Sequence, residues 1–161
     1  MLKRLINTLP QVGEVQWIGL RPGRGEPMNS VQTADLDTDV GLVGDRYSGR
    51  SGSRHVTLIQ AEHLPVIASC TGADQVSPEL LRRNILVQGV NLLALKDKRF
   101  KLGSALLEYT GLCHPCSRME ELLGTGGYNA VRGHGGINAR VLASGTVAVG
   151  NKLRAVQESY T

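Results

Sequence analysis

Aromatic residues are scarce, six in 161, with a single Trp and a single Phe. No basic run is longer than two residues. Together these argue against a stacking platform for nucleic acid. No stretch of about 18 apolar residues occurs, which excludes a transmembrane helix, and no membrane partner is expected. The N-terminal MLKRLINTLPQVG has two basic residues but neither an apolar core nor a small-residue cleavage site, so no secretory signal is expected. Cysteine is limited to three residues, an odd number, two of them only three apart. That is no disulfide framework, and it points to a reducing compartment, the cytoplasm. Zinc needs four ligands, and beyond Cys113 and Cys116 only Cys70 and scattered histidines remain, so zinc is not expected. No P-loop lysine and no G-x-G-x-x-G ahead of a helix occur, so no nucleotide cofactor is expected. Repeats and low-complexity tracts are absent.

What is present is a chain of one-domain size, 41% apolar and 20% charged, with 20 glycines. It is read as a single domain over 1–161, able to bury about two thirds of its unfolded surface. Many glycines with few aromatics suggest tight turns, few long helices and a β-rich fold. The net charge is +4, and 13 of the 18 basic residues are Arg. Arginine is the better side chain for planar, bidentate grip on phosphate or carboxylate, so the excess hints at an anionic ligand.

Alternation in GEVQW predicts a strand over 12–20, followed by a Pro/Gly/Arg loop at 21–30. VQTADLD at 31–37 and VTLIQ at 56–60 read as strands, the latter buried. Residues 61–70 read as a short helix interrupted or bent at Pro65. Ser77-Pro78-Glu79 carries the signals of a helix start, and ILV at 85–87 reads as a strand. Residues 100–110 suggest a strand with a Gly-Ser bend. SRMEELL at 117–123 predicts a helix ended by Gly124, and 124–136, with six glycines, reads as a loop. INARVLA and TVAVG then read as strands joined at Ser144-Gly145. No regular strand–helix–strand alternation is visible. The expected architecture is mainly β with α, a barrel or folded sheet with short peripheral helices.

Three constellations could carry chemistry. In GLCHPCSRME, Ser117 and Glu120 have capping-box spacing, which sets Cys116 just before a helix N-terminus, where a thiolate is favoured. His114 and Arg118 could add positive charge there. A pair of buried structural cysteines, a thioredoxin-type redox pair and a single reactive sulfur at Cys116 all remain open at this point. The second constellation is Leu81-Arg82-Arg83-Asn84, which could grip a phosphate or a heterocycle edge, or form an ordinary solvated terminus. The third is Gly41-x-x-Gly44-Asp45-Arg46 with Ser51, Ser53, Arg54 and His55, suited to anion binding or to a polar surface loop. The glycine-rich segment, with Arg132 and His134, could flex over a site; His63 is expected to have no role.

Taken in order, GLVGDRY at 41–47, RHVTLIQAEHL at 54–64, RRNILVQGVNLLAL at 82–95, GLCHPCSRM at 111–119 and GINARVLASGTVAVGNKL at 136–153 resemble the MOSC domain, named for the C-terminal part of molybdenum cofactor sulfurase. The resemblance runs from about 12 to 156 and is to the small stand-alone members. It implies a MOSC-type β-barrel with peripheral helices and a bound molybdenum cofactor (molybdopterin). It places the metal-ligating and catalytic cysteine on Cys116, with Cys113 as a nearby companion. The family's Arg-x-Asn element, at the pterin and phosphate end, falls on Arg82 and Asn84. Asp45, Arg46, Arg54, His114 and Arg118 complete the expected cofactor-binding set. His114 stands where some relatives carry a serine, and Gly150-Asn151 where Gly-Asp is usual. The implied activity is an oxidoreductase acting on N-hydroxylated compounds, with an electron-donor protein as partner. The alternative is a sulfur carrier bearing a persulfide on Cys116, charged by a pyridoxal-phosphate-dependent cysteine desulfurase. A non-catalytic module that binds or stores the cofactor is a third reading. Larger relatives enclose the cofactor with an extra N-terminal domain for which this chain has no room, so closure by a homodimer partner is one arrangement the resemblance allows.

Overall fold

The structure is a computed structural model that describes residues 1–47 and 51–157. Positions 48–50 of the polar stretch after Tyr47 lie outside the described residues. Among the described residues, eleven strands and four short α-helices alternate irregularly. Strands β1 (Val12–Leu20), β5 (Val56–Gln60), β6 (Ile85–Gln88), β7 (Arg99–Leu102), β8 (Ala105–Leu112), β9 (Ile137–Ala143) and β11 (Lys152–Ala155) form one ring. The order is β11-β7-β8-β9-β5-β6-β1, and Val12 of β1 pairs with Arg154 of β11 to close it. All pairs in the ring are antiparallel except β5–β6. Closure removes the unpaired edges that an open sheet would leave. β2 (Asn29–Val31) extends β1, while β3 (Thr33–Asp37), β4 (Gly41–Leu42) and β10 (Gly145–Ala148) form a separate small sheet.

The mainly-β barrel expectation is therefore borne out, and the local departures have physical reasons. The Gly-Ser bend of 100–110 is a two-residue hairpin turn, Gly103-Ser104, between β7 and β8, with Gly103 at φ +57°. Pro65 does not interrupt α2 (His63–Thr71), because it is the third helical residue and its missing N–H would have had no partner there. Ser77-Pro78-Glu79 opens only a turn: Ser77 Oγ accepts from Leu80 N, but Arg82 at φ +61° ends it. The glycine-rich segment is not all loop, since Gly127–Val131 forms α4. The parallel β5–α2–β6 crossover is a strand–helix–strand unit that the irregular spacing hid. TVAVG does not pair with INARVLA but with β3.

The inside of the ring is filled by Val15, Ile18, Leu58, Ile85, Phe100, Leu107, Val141 and Leu153, all at most 2% exposed. A second cluster, Ile59, Ile67, Leu81, Met119 and Val131, lies outside it under α2, α3 (Ser117–Leu123) and α4. β5 is buried along its whole length because Val56 and Leu58 join the first cluster and Ile59 the second. That explains why VTLIQ is an apolar run rather than an alternation. No helix among the described residues is long and apolar enough to cross a membrane.

Candidate functional site

The end of β1, the start of β6 and the segment between β8 and α3 meet at a cavity of about 620 Å³, within the usual size range of ligand sites. Seven arginines line it: Arg21, Arg24, Arg46, Arg54, Arg82, Arg83 and Arg118. Cys113, His114, Cys116, Tyr47, Thr57 and Asn138 also contribute, and among the described residues no Asp or Glu does. More than half of the chain's arginines thus converge on one concavity. The crowding acts on Arg82, whose pKa is held below the usual guanidinium value by burial first and then by repulsion from Arg21, Arg118 and Arg46. Such a wall favours an anion.

The wall is braced from behind by Asp45 and Asn84. The Asp45 side chain is 1% exposed and accepts from Arg21 Nε at 3.1 Å, Arg21 Nη2 at 2.8 Å and the Arg21 backbone N–H at 2.8 Å. Burial alone would raise its pKa, but Arg21 and the N–H of Tyr47 outweigh that and hold the carboxyl below its ordinary value. Asn84 is fully buried, and its carboxamide is spent inside the protein. Its Oδ1 accepts from the N–H and Oγ1 of Thr57, and its Nδ2 donates to Gly19 O and Asp45 Oδ1, all at 3.0–3.1 Å. Asn84 therefore meets the site through Asp45 and Thr57 rather than with its own free groups. Arg82 lines the cavity while donating to the carbonyls of Glu26 and Gly23, which ties down the loop after β1.

Across the cavity, residues 113–116 connect β8 to α3 without regular secondary structure. The capping box is not formed. Cys116, in extended backbone, is itself the N-cap, and Ser117 is the first helical residue. Glu120 turns forward instead, accepting from the N–H groups of Gly126 at 2.8 Å and Tyr128 at 3.0 Å, and these bonds lower its pKa. Its partners lie where α3 turns into α4, which offers two backbone donors. Cys116 and His114 are exposed, Cys113 is partly buried, and Pro115 between them is buried. Cys113 is pinned at its backbone: its N–H donates to Gly136 O at 2.9 Å. Gly136 sits at φ +89°, and a Cβ there would stand 1.9 Å from Leu58 O. Gly136→Ala should therefore cost about 3 kcal/mol or more, read by denaturant unfolding.

Of the residues singled out from sequence, Arg46, Arg54, Arg82, Cys113, His114, Cys116 and Arg118 all reach the cavity. Ser51 and Ser53 bond each other and do not line it, and Cys70 lies apart on α2. Arg132 and His134 do not line it either; the glycine-rich segment meets the site through backbone carbonyls. The His63 and His134 rings pack in a T-shaped arrangement, with centroids 5.1 Å apart. Sequence reasoning singled out Arg83 beside Arg82, and it lines the cavity too; it missed Arg21, Arg24, Tyr47, Thr57 and Asn138. The two arginines of RPGR directly after a strand were the available signal; the others needed the ring closure. Asn138 donates Nδ2 to Leu112 O at 3.2 Å and leaves its buried Oδ1 without a partner among the described residues. No group of three or more His, Cys, Asp or Glu side chains that could hold a metal ion occurs among the described residues.

Solved structures similar in fold include three named proteins. The YuaD protein from Bacillus subtilis superposes with a TM-score of 0.81 at 18% identity, over 94% of this chain and 100% of that one. YiiM from Geobacillus stearothermophilus gives 0.70 at 16% identity, over 89% and 75%. YiiM from Escherichia coli gives 0.70 at 18% identity, over 92% and 72%. No match to the chain is found among the curated proteins. The family model for the MOSC domain matches residues 44–154, from the Asp45 brace through the cysteine segment to the last barrel strand, and the chain belongs to the MOSC domain family.

Proposed function

We propose that the protein holds a molybdenum cofactor in the arginine-lined cavity, with Cys116 as the metal ligand, and reduces N-hydroxylated compounds. The family is one associated with molybdenum-cofactor binding and sulfuration. The observation that carries the reading is the convergence on one concavity of seven arginines and an accessible thiol, with no carboxylate among the described residues that line it. The donor set fits the group. Its terminal phosphate is met by guanidinium groups, which suit phosphate bidentately. The Cys116 sulfur is the soft donor that such a metal takes. The unpaired Oδ1 of Asn138 is an acceptor in want of an N–H or O–H donor.

When bound, the cofactor supplies a metal centre able to accept or donate an oxygen atom; the protein binds and orients it. Arg46, Arg82 and Arg118 bind the anionic end, and the Asp45–Arg21–Asn84 brace keeps that wall from shifting as charge enters. Reduction of an N-hydroxyl group to the amine consumes two electrons and two protons and releases water. In this reading the electrons come from a separate donor protein. Elemental analysis for molybdenum together with pterin fluorescence on freshly purified protein tests the reading. Stoichiometric metal with pterin is expected; protein that stays free of both in a host that makes the cofactor refutes it.

A second reading is favoured by the exposure of Cys116. As a sulfur carrier, Cys116 would attack the terminal sulfur of a desulfurase persulfide and leave that enzyme's cysteine as a thiolate. Incubation with a cysteine desulfurase and cysteine would then add about 32 Da to Cys116 alone. Absence of the adduct removes this reading.

A further inference from the structure

Among the seven described arginines that line the cavity, Arg83 alone is buried, at 6% exposure. Its guanidinium is held entirely by main-chain oxygens. Nε donates to Gly135 O at 2.8 Å, Nη1 to Leu81 O at 2.8 Å and Nη2 to Cys113 O at 3.3 Å. No carboxylate pairs with it among the described residues. Three of the five donors of a guanidinium are thus spent and two are not. A buried cation with no counter-charge is costly, and carbonyl dipoles offset only part of that cost. The missing negative charge has one place to come from, the cavity that Arg83 lines.

The same side chain also sets where the cysteine segment runs. Cys113 is fixed on both sides, its N–H by Gly136 O and its carbonyl by Arg83. From Cys113 the chain passes through His114 and the buried Pro115 to Cys116 with no turn to absorb a shift. Moving the Cys113 carbonyl therefore moves Cys116. We propose that Arg83 is a positioning residue that couples anion binding in the cavity to the placement of Cys116, and is itself the buried anchor for the anion. This rests on the reading that the cavity takes an anionic ligand, and it assigns to Arg83 a role distinct from that of Arg82, whose guanidinium ties down the loop after β1.

The test uses inorganic phosphate as the probe and the full chain, expressed in a host that makes no molybdopterin. Phosphate binding is measured by calorimetry, and Cys116 alkylation by iodoacetamide is followed by peptide mapping. In the wild-type protein phosphate slows Cys116 alkylation, and chloride at equal ionic strength does not. Arg83→Met weakens phosphate binding about tenfold or more and abolishes the phosphate-dependent protection. Arg83→Lys keeps the charge but cannot span three carbonyls, so it restores phosphate binding and protection while the alkylation rate without phosphate still differs from wild type. If Arg83→Met does not fold, Arg83→Lys decides alone: a changed basal rate with protection retained supports the proposal, and a wild-type basal rate overturns it. Variants that keep wild-type phosphate binding and alkylation also overturn it, while leaving the anion-binding reading in place. A wild-type protein that binds phosphate without protection of Cys116 overturns the coupling alone, and one that does not bind phosphate removes both.

Discussion

Asp45→Asn is expected to destabilise the protein by about 3–5 kcal/mol, the cost typical of removing one partner from a buried ion pair. The carboxylate is almost wholly inaccessible and holds both the guanidinium and the backbone N–H of Arg21. It also receives Nδ2 of the fully buried Asn84, so its loss strands a second polar group. The asparagine is nearly isosteric but lacks the charge, and one of its two ends is a donor that would face the donors of Arg21. Equilibrium unfolding in denaturant at neutral pH measures the effect. The pH dependence has a definite sign. The Asp45 carboxyl is held below its ordinary value in the folded state, so its contribution is whole above the unfolded value near 4 and is lost as pH falls through the lower, folded value. Wild type and Asp45→Asn should therefore converge in stability below about pH 4. A gap that stays constant down to the acid transition shows that the carboxylate charge is not what stabilises the wall.

Cys116→Ala is expected to reduce retained molybdenum to background and to abolish turnover of N-hydroxylated substrates, with stability unchanged within about 0.5 kcal/mol. The separation of the two effects follows from position. Cys116 is exposed, and as the N-cap of α3 it contributes its backbone carbonyl, which accepts from Met119 N, but no side-chain bond. Alanine keeps that carbonyl and removes only the sulfur. Cys116→Ser should behave like the alanine variant in metal content, because a hydroxyl is a poor substitute for a soft donor. Elemental analysis of the two variants beside the wild type reads the result; undiminished molybdenum in either variant excludes Cys116 as the ligand.

The cysteine segment shows how much of the site was legible and where legibility stopped. Cys116 at a loop–helix junction, with His114 and Arg118 beside it, is a local pattern, and all three line the cavity. The capping box was misread because a carboxylate three residues into a helix has two possible sets of donors. Only the α3–α4 turn, a tertiary feature, decided that Glu120 faces Gly126 and Tyr128. Arg82 and Arg83 are indistinguishable as letters. Their different burial follows from the left-handed turn at Arg82, which sends one guanidinium to the loop after β1 and the other to the main-chain oxygens of Leu81, Cys113 and Gly135.

Residue order alone determined that this is a mainly-β domain rich in arginine, with a cysteine at the mouth of a helix, because alternation, glycine spacing and composition act over a few residues at a time. Which arginines meet, and that no acid joins them, was decided by closing β1 against β11 and crossing in parallel from β5 to β6. These pairings join segments up to about 140 residues apart, and the charge balance of a cavity exists only once its walls have come together.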